Sequence, residues 1–314
     1  MELRILLTNE CQLRCQFCHL EGMSKHEKPR FISPKTAVNV FRHMKQLCGS
    51  SVTLSGGEPL LHPNFTQICE SLAQEGARIT LLTNGLLLGA YTKLLPHISE
   101  IHASLPSAIE ANYVELTGGN LDSWFCQLRS LCEARSSTRL KINSTLLDGI
   151  NDSEKEIRYL LNVSRDFSAT LKIIRYFDPR TKRSARLVRL TDILKSMRYM
   201  PVTEEERLNV WLNTTLPTVE IAEVTCSFAR RSRNPSLTCS KYRDLLITPD
   251  EKVVWCPWHI LGWSLGYFVE LIKQYSQTGI PAESFHWPSC PDYDKERKVA
   301  EVGRNENIYV ARSR

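Results

Sequence analysis

Leu3-Arg4-Ile5-Leu6-Leu7-Thr8-Asn9-Glu10-Cys11-Gln12-Leu13-Arg14-Cys15-Gln16-Phe17-Cys18-His19 joins an apolar run to a loop that carries three thiols. The run 3–8 reads as a short buried strand. Three cysteines with three and then two residues between them can wrap one soft metal centre and leave a coordination position open. Thiolates so spaced suit zinc or an iron–sulfur cluster. A closed zinc site would take a fourth ligand, which His19 is placed to supply.

The same strand-then-loop grammar repeats to about residue 176. Runs rich in Leu, Ile, Val or Thr at 3–8, 51–55, 77–83, 100–105, 138–146 and 168–176 read as strands. Stretches such as 34–48, 63–76, 122–135 and 152–165 read as helices. This alternation predicts βαβ units, a parallel sheet, and reactive residues at the carboxyl ends of strands. Ser33-Pro34 reads as an N-cap followed by proline at the first helical position, and Asn84-Gly85 as the turn closing the third strand. Near residue 177 the chain turns polar and basic, in Asp178-Pro179-Arg180-Thr181-Lys182-Arg183. Two domains are expected, 1–190 and a smaller 191–314.

At 314 residues, 42% hydrophobic and 24% charged, the chain can bury a substantial core. No apolar run approaches the ~20 residues of a membrane helix, and no signal peptide is visible. A cytoplasmic location is expected, where grouped thiols among the eleven cysteines mean metal or catalysis more often than disulfides. Cys48, Cys69, Cys126 and Cys132 fall in expected helices and read as small buried hydrophobes. A net charge of +6 is mild, so anionic partners need locally concentrated charge.

Thr53-Leu54-Ser55-Gly56-Gly57-Glu58-Pro59 places a glycine pair and an acid directly after the second expected strand. In isolation it is an ordinary turn. Paired with the three-cysteine loop, and with Phe17 just before the third cysteine, it resembles the radical SAM superfamily. The resemblance implies a partial (β/α)6 barrel and a 4Fe–4S cluster on Cys11, Cys15 and Cys18. It further implies S-adenosylmethionine on the open iron, with Gly56, Gly57 and Glu58 lining its methionine end. Thr83, Asn84, Ser104 and Asn143, at or near strand ends, are expected around the same cofactor. A flavodoxin- or ferredoxin-type electron donor and oxygen sensitivity follow.

A second cysteine set lies in the later segment. Alternating apolar residues on either side of Pro249-Asp250 read as a β-hairpin with Cys239 and Cys256 at its ends. The arrangement resembles the SPASM and twitch auxiliary-cluster modules, the shorter twitch form fitting the cysteine count, with Cys226 and Cys290 as further ligands of a second 4Fe–4S cluster. Zinc is the rival occupant, and a thiol hydrogen donor the rival role for one of these cysteines or Cys126.

Across about 1–260 the chain resembles the GTP cyclase family of molybdenum-cofactor biosynthesis. That likeness implies an anionic, phosphorylated or nucleotide-like substrate held by Arg4, Lys141, Arg175, Lys241 and Arg243. There are departures. Cys226 and Cys239 are far apart, and the chain ends Ala311-Arg312-Ser313-Arg314 where that family ends in a Gly-Gly tail. A relative acting on another metabolite is therefore expected. Maturation of a ribosomally made peptide is the enzymatic alternative. With ten residues ahead of Cys11, it would need a separate carrier or peptide-recognition protein. A non-enzymatic zinc or nucleic-acid-binding protein using the basic stretches 180–189 and 230–243 is a third reading, but no nucleic-acid fold motif is visible.

Overall fold

The computed structural model describes residues 2–18, 28–135, 137–178, 183–184, 187–204, 208–224, 244–254 and 263–270. In chain order the elements are β1 (Glu2–Leu6), α1 (Pro34–Cys48), β2 (Ser51–Ser55), α2 (Phe65–Gln74), β3 (Arg78–Thr83), β4 (Ile98–Ser104), α3 (Glu110–Thr117), α4 (Leu121–Ala134), β5 (Arg139–Leu146), α5 (Glu154–Asp166) and β6 (Thr170–Asp178). Then follow β7 (Arg183–Ser184), α6 (Leu187–Ser196), β8 (Met200–Glu204), β9 (Leu208–Leu212), β10 (Val219–Val224), β11 (Asp244–Ile247), β12 (Lys252–Val254) and β13 (Trp263–Ser264). The six expected strands and four expected helices all form. The 3-10 segment Leu88–His97 and the helix α3 were not expected. Both are short, and α3 has almost no amphipathic pattern to read.

Contacts divide the chain into two compact units: Met1–Glu10, His19–Ile79 and Cys226–Arg314 form one, Cys11–Cys18 and Thr80–Thr225 the other. In the first unit β1 lies parallel between β2 and β11, and β12 and β13 continue from β11 in antiparallel fashion. Helix α1 starts as its sequence dictates: the Ser33 side chain accepts from Thr36 N–H at 3.0 Å and Pro34 opens the helix. It buries Ala37, Val40, Phe41 and Met44 and packs on β1 and β2. Each such side chain removed from water contributes about 1.5–3 kcal/mol. β3 begins here, with Arg78 N–H donating to Ser50 O at 2.8 Å.

In the second unit the strand order is β3-β4-β5-β6-β10-β9-β8. β4, β5, β6 and β10 run parallel, and β9 and β8 close the edge antiparallel. Helix α5 packs on β5 and β6, whose Leu140, Ile142, Leu146, Leu171 and Ile173 are buried. Strand register puts the alternate residues Glu100, His102, Ser104, Lys141, Asn143, Thr170, Lys172 and Glu220 together on the opposite face. The mixed α/β class with a parallel sheet is thus as expected.

The division at residue 190 is not the one the contacts make. β8–β10 extend the second unit's sheet beside β6, whereas β11 joins β1 in the first. The C-terminal third looked separate in sequence because its strands lack intervening helices and pair mostly antiparallel. The expected hairpin at Pro249-Asp250 forms, with Leu246 opposite Val254 and Ile247 opposite Val253. Glu251 takes a left-handed φ of 58°, and Thr248 Oγ1 accepts from Lys252 N–H at 3.1 Å to close the turn.

Candidate active site

In the first unit the glycine pair is locked against the chain that leads to the cysteines. Gly57 N–H donates to Thr8 O and Glu58 N–H to Glu10 O, each at 2.7 Å. Gly56 has φ 129°, and a Cβ on it would overlap the Thr8 carbonyl oxygen. A Cβ on Gly57 would overlap the Glu10 carbonyl. Only glycine lets two backbones approach this closely, and Glu10 is bonded directly to Cys11. Glu58 is fully buried, and one of its carboxylate oxygens accepts from Leu60 N–H at 3.1 Å. The side chain therefore caps the 3-10 turn Pro59–Leu61. Arg4 shares its face of β1 with Glu2, 3.9 Å away, and by register with Thr53.

In the second unit the thiols of Cys11 and Cys18 are exposed and that of Cys15 is half-buried; none is in a disulfide. Their loop is fastened to the end of α3, where Arg14 N–H donates to Thr117 O at 3.1 Å and Gln16 N–H to Leu116 O at 2.9 Å. Those carbonyls have no partner within the helix, so the loop satisfies them. Asn84 binds the loop from β3, its amide donating to Cys11 Sγ at 3.8 Å and accepting from Gln12 Nε2 at 3.3 Å. Thr83 Oγ1 accepts from Gly85 N–H at 3.1 Å, which shapes that strand end. Phe17 is half-buried in the loop. Among the described residues no three His, Cys, Asp or Glu side chains gather as ligands of one ion. A cluster, taking one thiolate per iron, does not ask for that.

The polar face of β4, β5, β6 and β10 holds Ser104 beside Asn143, which is 8% exposed. Lys141 lies beneath them, Nζ 2.9 and 3.1 Å from the two Glu220 oxygens and 3.4 Å from Glu100. Glu100 also lies 3.2 Å from His102 Nε2 and 3.0 Å from Arg139. His102, with the charges of Lys141 and Arg139, holds the Glu100 carboxyl down at about 2 against the opposing effect of burial. Burial works to lower Lys141, but its two carboxylates win and raise it.

Sequence reading missed Glu100, His102 and Glu220. Their alternation within strands was the available signal, but strand pairing was needed to bring them together. Two expectations need correction. Arg175 pairs in register with Leu146 and Glu223, so it stands on the face opposite Lys141; Lys172 occupies the face on which Arg175 was expected. Strand period two makes an error of one residue an error of face. Cys126 is exposed and Cys48 and Cys132 half-buried; of the four helix cysteines only Cys69 is fully buried, where desolvation pushes its thiol up to about 12. His19, Cys226, Cys239, Cys256, Cys290, Lys241 and Arg243 lie outside the described residues.

No helix among the described residues is long and apolar enough to cross a membrane. The chain is similar to a protein of Pyrobaculum aerophilum named "Probable GTP 3',8-cyclase", at 27% identity over 264 residues, 81% of this chain and 83% of that one. A protein of the same name from Archaeoglobus fulgidus is 34% identical over 169 residues, 53% of this chain and 55% of that one. Among solved structures, Streptococcus suis SuiB bound to the precursor peptide SuiA superposes with a TM-score of 0.59 at 17% identity, over 81% of this chain and 59% of SuiB. A structure of anSMEcpe with bound AdoMet gives 0.56 at 13%, over 83% of this chain and 75% of that one. These two likenesses show the fold. Residues 5–161, half of the 314, match the family model described as the Radical SAM superfamily, and the chain belongs to that superfamily.

Proposed function

We propose that this radical SAM enzyme acts on an anionic, nucleotide-like small molecule, abstracting a hydrogen atom from it. The superfamily implies S-adenosylmethionine and a 4Fe–4S cluster. The residues present fit both: three thiols without disulfides on one loop, and a glycine cradle that any Cβ would fill. Cys11, Cys15 and Cys18 would hold the cluster, and Gly56, Gly57 and Glu58 would meet the methionine end of S-adenosylmethionine. The bound pair supplies the chemistry, one-electron cleavage to a 5′-deoxyadenosyl radical.

The residues of this chain bind and orient. The observation that carries the reading is the pair of 2.7 Å main-chain bonds from Gly57 and Glu58 to Thr8 and Glu10. They bind the glycine motif to the backbone at the exit of β1, the segment that leads in sequence to Cys11. Asn84 steadies Cys11, and α3 steadies the backbone on either side of Cys15.

The nucleotide-like substrate is supported by likeness to the GTP 3',8-cyclases over four fifths of the chain. Arg4, with Lys241 and Arg243, is the proposed contact for its anionic group. Lys141, already held by Glu220 and Glu100, orients the polar face instead of offering a net charge. A second cluster on Cys226, Cys239, Cys256 and Cys290 is proposed on the strength of the β11–β12 hairpin. A flavodoxin- or ferredoxin-type donor would deliver the electron.

The test is anaerobic incubation of reconstituted protein with S-adenosylmethionine and dithionite. Wild type releases 5′-deoxyadenosine and Cys15→Ala does not; release by the variant would overturn the reading. Zinc in place of iron and sulfide would point to the binding-protein alternative. A Cys239→Ala, Cys256→Ala double variant should retain roughly half the iron.

A further inference from the structure

Two segments of the first unit bond to the same short stretch of chain, residues 7–10. One is the glycine turn, through Gly57 and Glu58. The other is 28–32, which leads into α1. There Ile32 N–H donates to Leu7 O at 2.9 Å and Phe31 bridges Thr8. Arg30 N–H donates to Asn9 Oδ1 at 2.7 Å, and Asn9 Nδ2 to Lys28 O at 3.1 Å. His62 joins these two segments to each other. It ends the 3-10 turn Pro59–Leu61, its own N–H donating to Pro59 O at 3.0 Å, and its ring nitrogen Nε2 lies 2.8 Å from Ile32 O.

The partners of the ring settle its tautomer. A carbonyl oxygen only accepts, so Nε2 carries the proton and donates to Ile32. Nδ1 accepts from Asn64 N–H at 3.0 Å, so it is bare. The imidazole is 2% exposed and meets the Phe31 ring edge to face at 5.4 Å. Burial lowers its pKa against the opposing effect of the Ile32 carbonyl, which favours the neutral ring that both bonds require. With both nitrogens committed, the side chain fixes the distance between two backbones. An apolar ring of similar size would keep the packing and remove the donor from the Ile32 carbonyl.

Glu58 lies between two fixed points. At one end of the turn its N–H is bonded to Glu10 O at 2.7 Å, and at the other His62 is bonded to Ile32. We propose that His62 is a positioning residue for S-adenosylmethionine: by donating Nε2–H to Ile32 O it holds the turn carrying Gly57 and Glu58 where they meet the methionine end. The inference rests on the reading of Gly56, Gly57 and Glu58 as that cradle. The Asn64 bond spans two positions of the same segment and does not join it to 28–32. The two ring nitrogens therefore have separable tasks, and the Nε2 bond is the one that bears on cofactor affinity.

Two conservative variants separate those tasks. A glutamine amide extends to the Nε2 position and an asparagine amide only to Nδ1, so His62→Gln keeps a donor for Ile32 O and His62→Asn loses it. Equilibrium dialysis of labelled S-adenosylmethionine against the cluster-loaded, unreduced full-length chain reads affinity without turnover. His62→Asn should bind about tenfold more weakly, and His62→Gln should stay near wild type. In reduced protein the same change should fall on KM for S-adenosylmethionine, with kcat for 5′-deoxyadenosine release unchanged. Equal affinity in wild type and His62→Asn would overturn the proposal, and an earlier melt of that variant would then mark His62 as purely structural. Equal weakening in both variants would overturn it too, since the Nε2 donor would not be what matters. Should Gly57→Ala, folded and loaded, bind as wild type does, the cradle reading itself would be overturned and the proposal with it, an outcome the His62 pair does not report.

Discussion

The two units build their parts of the chemistry from different material. In the first, the Gly56-Gly57-Glu58 turn is main chain against main chain, with side chains excluded by the Thr8 and Glu10 carbonyls. In the second, the polar face of the sheet is side chain against side chain, with Lys141 held between Glu220 and Glu100. A backbone cradle is indifferent to almost every neighbouring residue but intolerant of a single methyl group. A side-chain network can be rewritten one charge at a time. The first construction fixes where a backbone lies, and the second fixes where charges lie.

That contrast is most exposed at Gly57. Gly57→Ala should destabilise the chain by roughly 2–3 kcal/mol as the methyl forces Thr8–Glu10 to move, and should abolish 5′-deoxyadenosine release. Urea melts and product assay check it, and a wild-type melt would mean that the cradle is looser than its geometry. Lys141→Ala comes next. It leaves Glu100 and Glu220 without their shared cation, and because Lys141 is partly solvated the expected loss is about 1–3 kcal/mol. Glu220→Gln should cost less, about 1 kcal/mol; a larger loss than for Lys141→Ala would show that the carboxylate organises the face and not the lysine.

The pH dependence sharpens the same comparison. Glu100 is held at about 2, below its unfolded value, so its contribution is present above the ordinary carboxylate range and lost as pH falls toward about 2. Lys141 is raised, so its contribution is complete below the ordinary lysine range and lost as pH climbs past it. His102→Phe removes the largest cause of the Glu100 shift and should flatten the acid limb of stability while leaving the alkaline limb alone. Equal flattening of both limbs would mean that His102 acts through Lys141. The smallest effect is expected at Arg175, which stands on the face opposite Lys141. Arg175→Ala should leave substrate KM unchanged, whereas Lys141→Ala should raise it.

Much of this architecture was legible before any coordinates. The strands β1 to β6 were readable because each is a compact apolar run bounded by turns, and α1, α2, α4 and α5 carry clear helical periodicity. Helix α3 escaped because its apolar residues follow no such period, yet its last turn is what fastens the cysteine loop. The cysteine triad and the glycine pair were legible because their chemistry depends on residue type at short spacing. Arg175 was misplaced because facing depends on register, which residue type does not encode.

By itself, then, the sequence pointed to the superfamily: the spacing of Cys11, Cys15 and Cys18 on a strand-exit loop, followed by Gly56-Gly57-Glu58, is a local pattern readable without partners, and residues 5–161 match the radical SAM family model. Tertiary structure alone decided which carboxylates neutralise Lys141 and which face Arg175 takes. The physical reason is range. Turn chemistry and thiol spacing act over a few residues, whereas ion pairing and the satisfaction of buried polar groups act through space between segments such as Lys141 and Glu220, 79 positions apart.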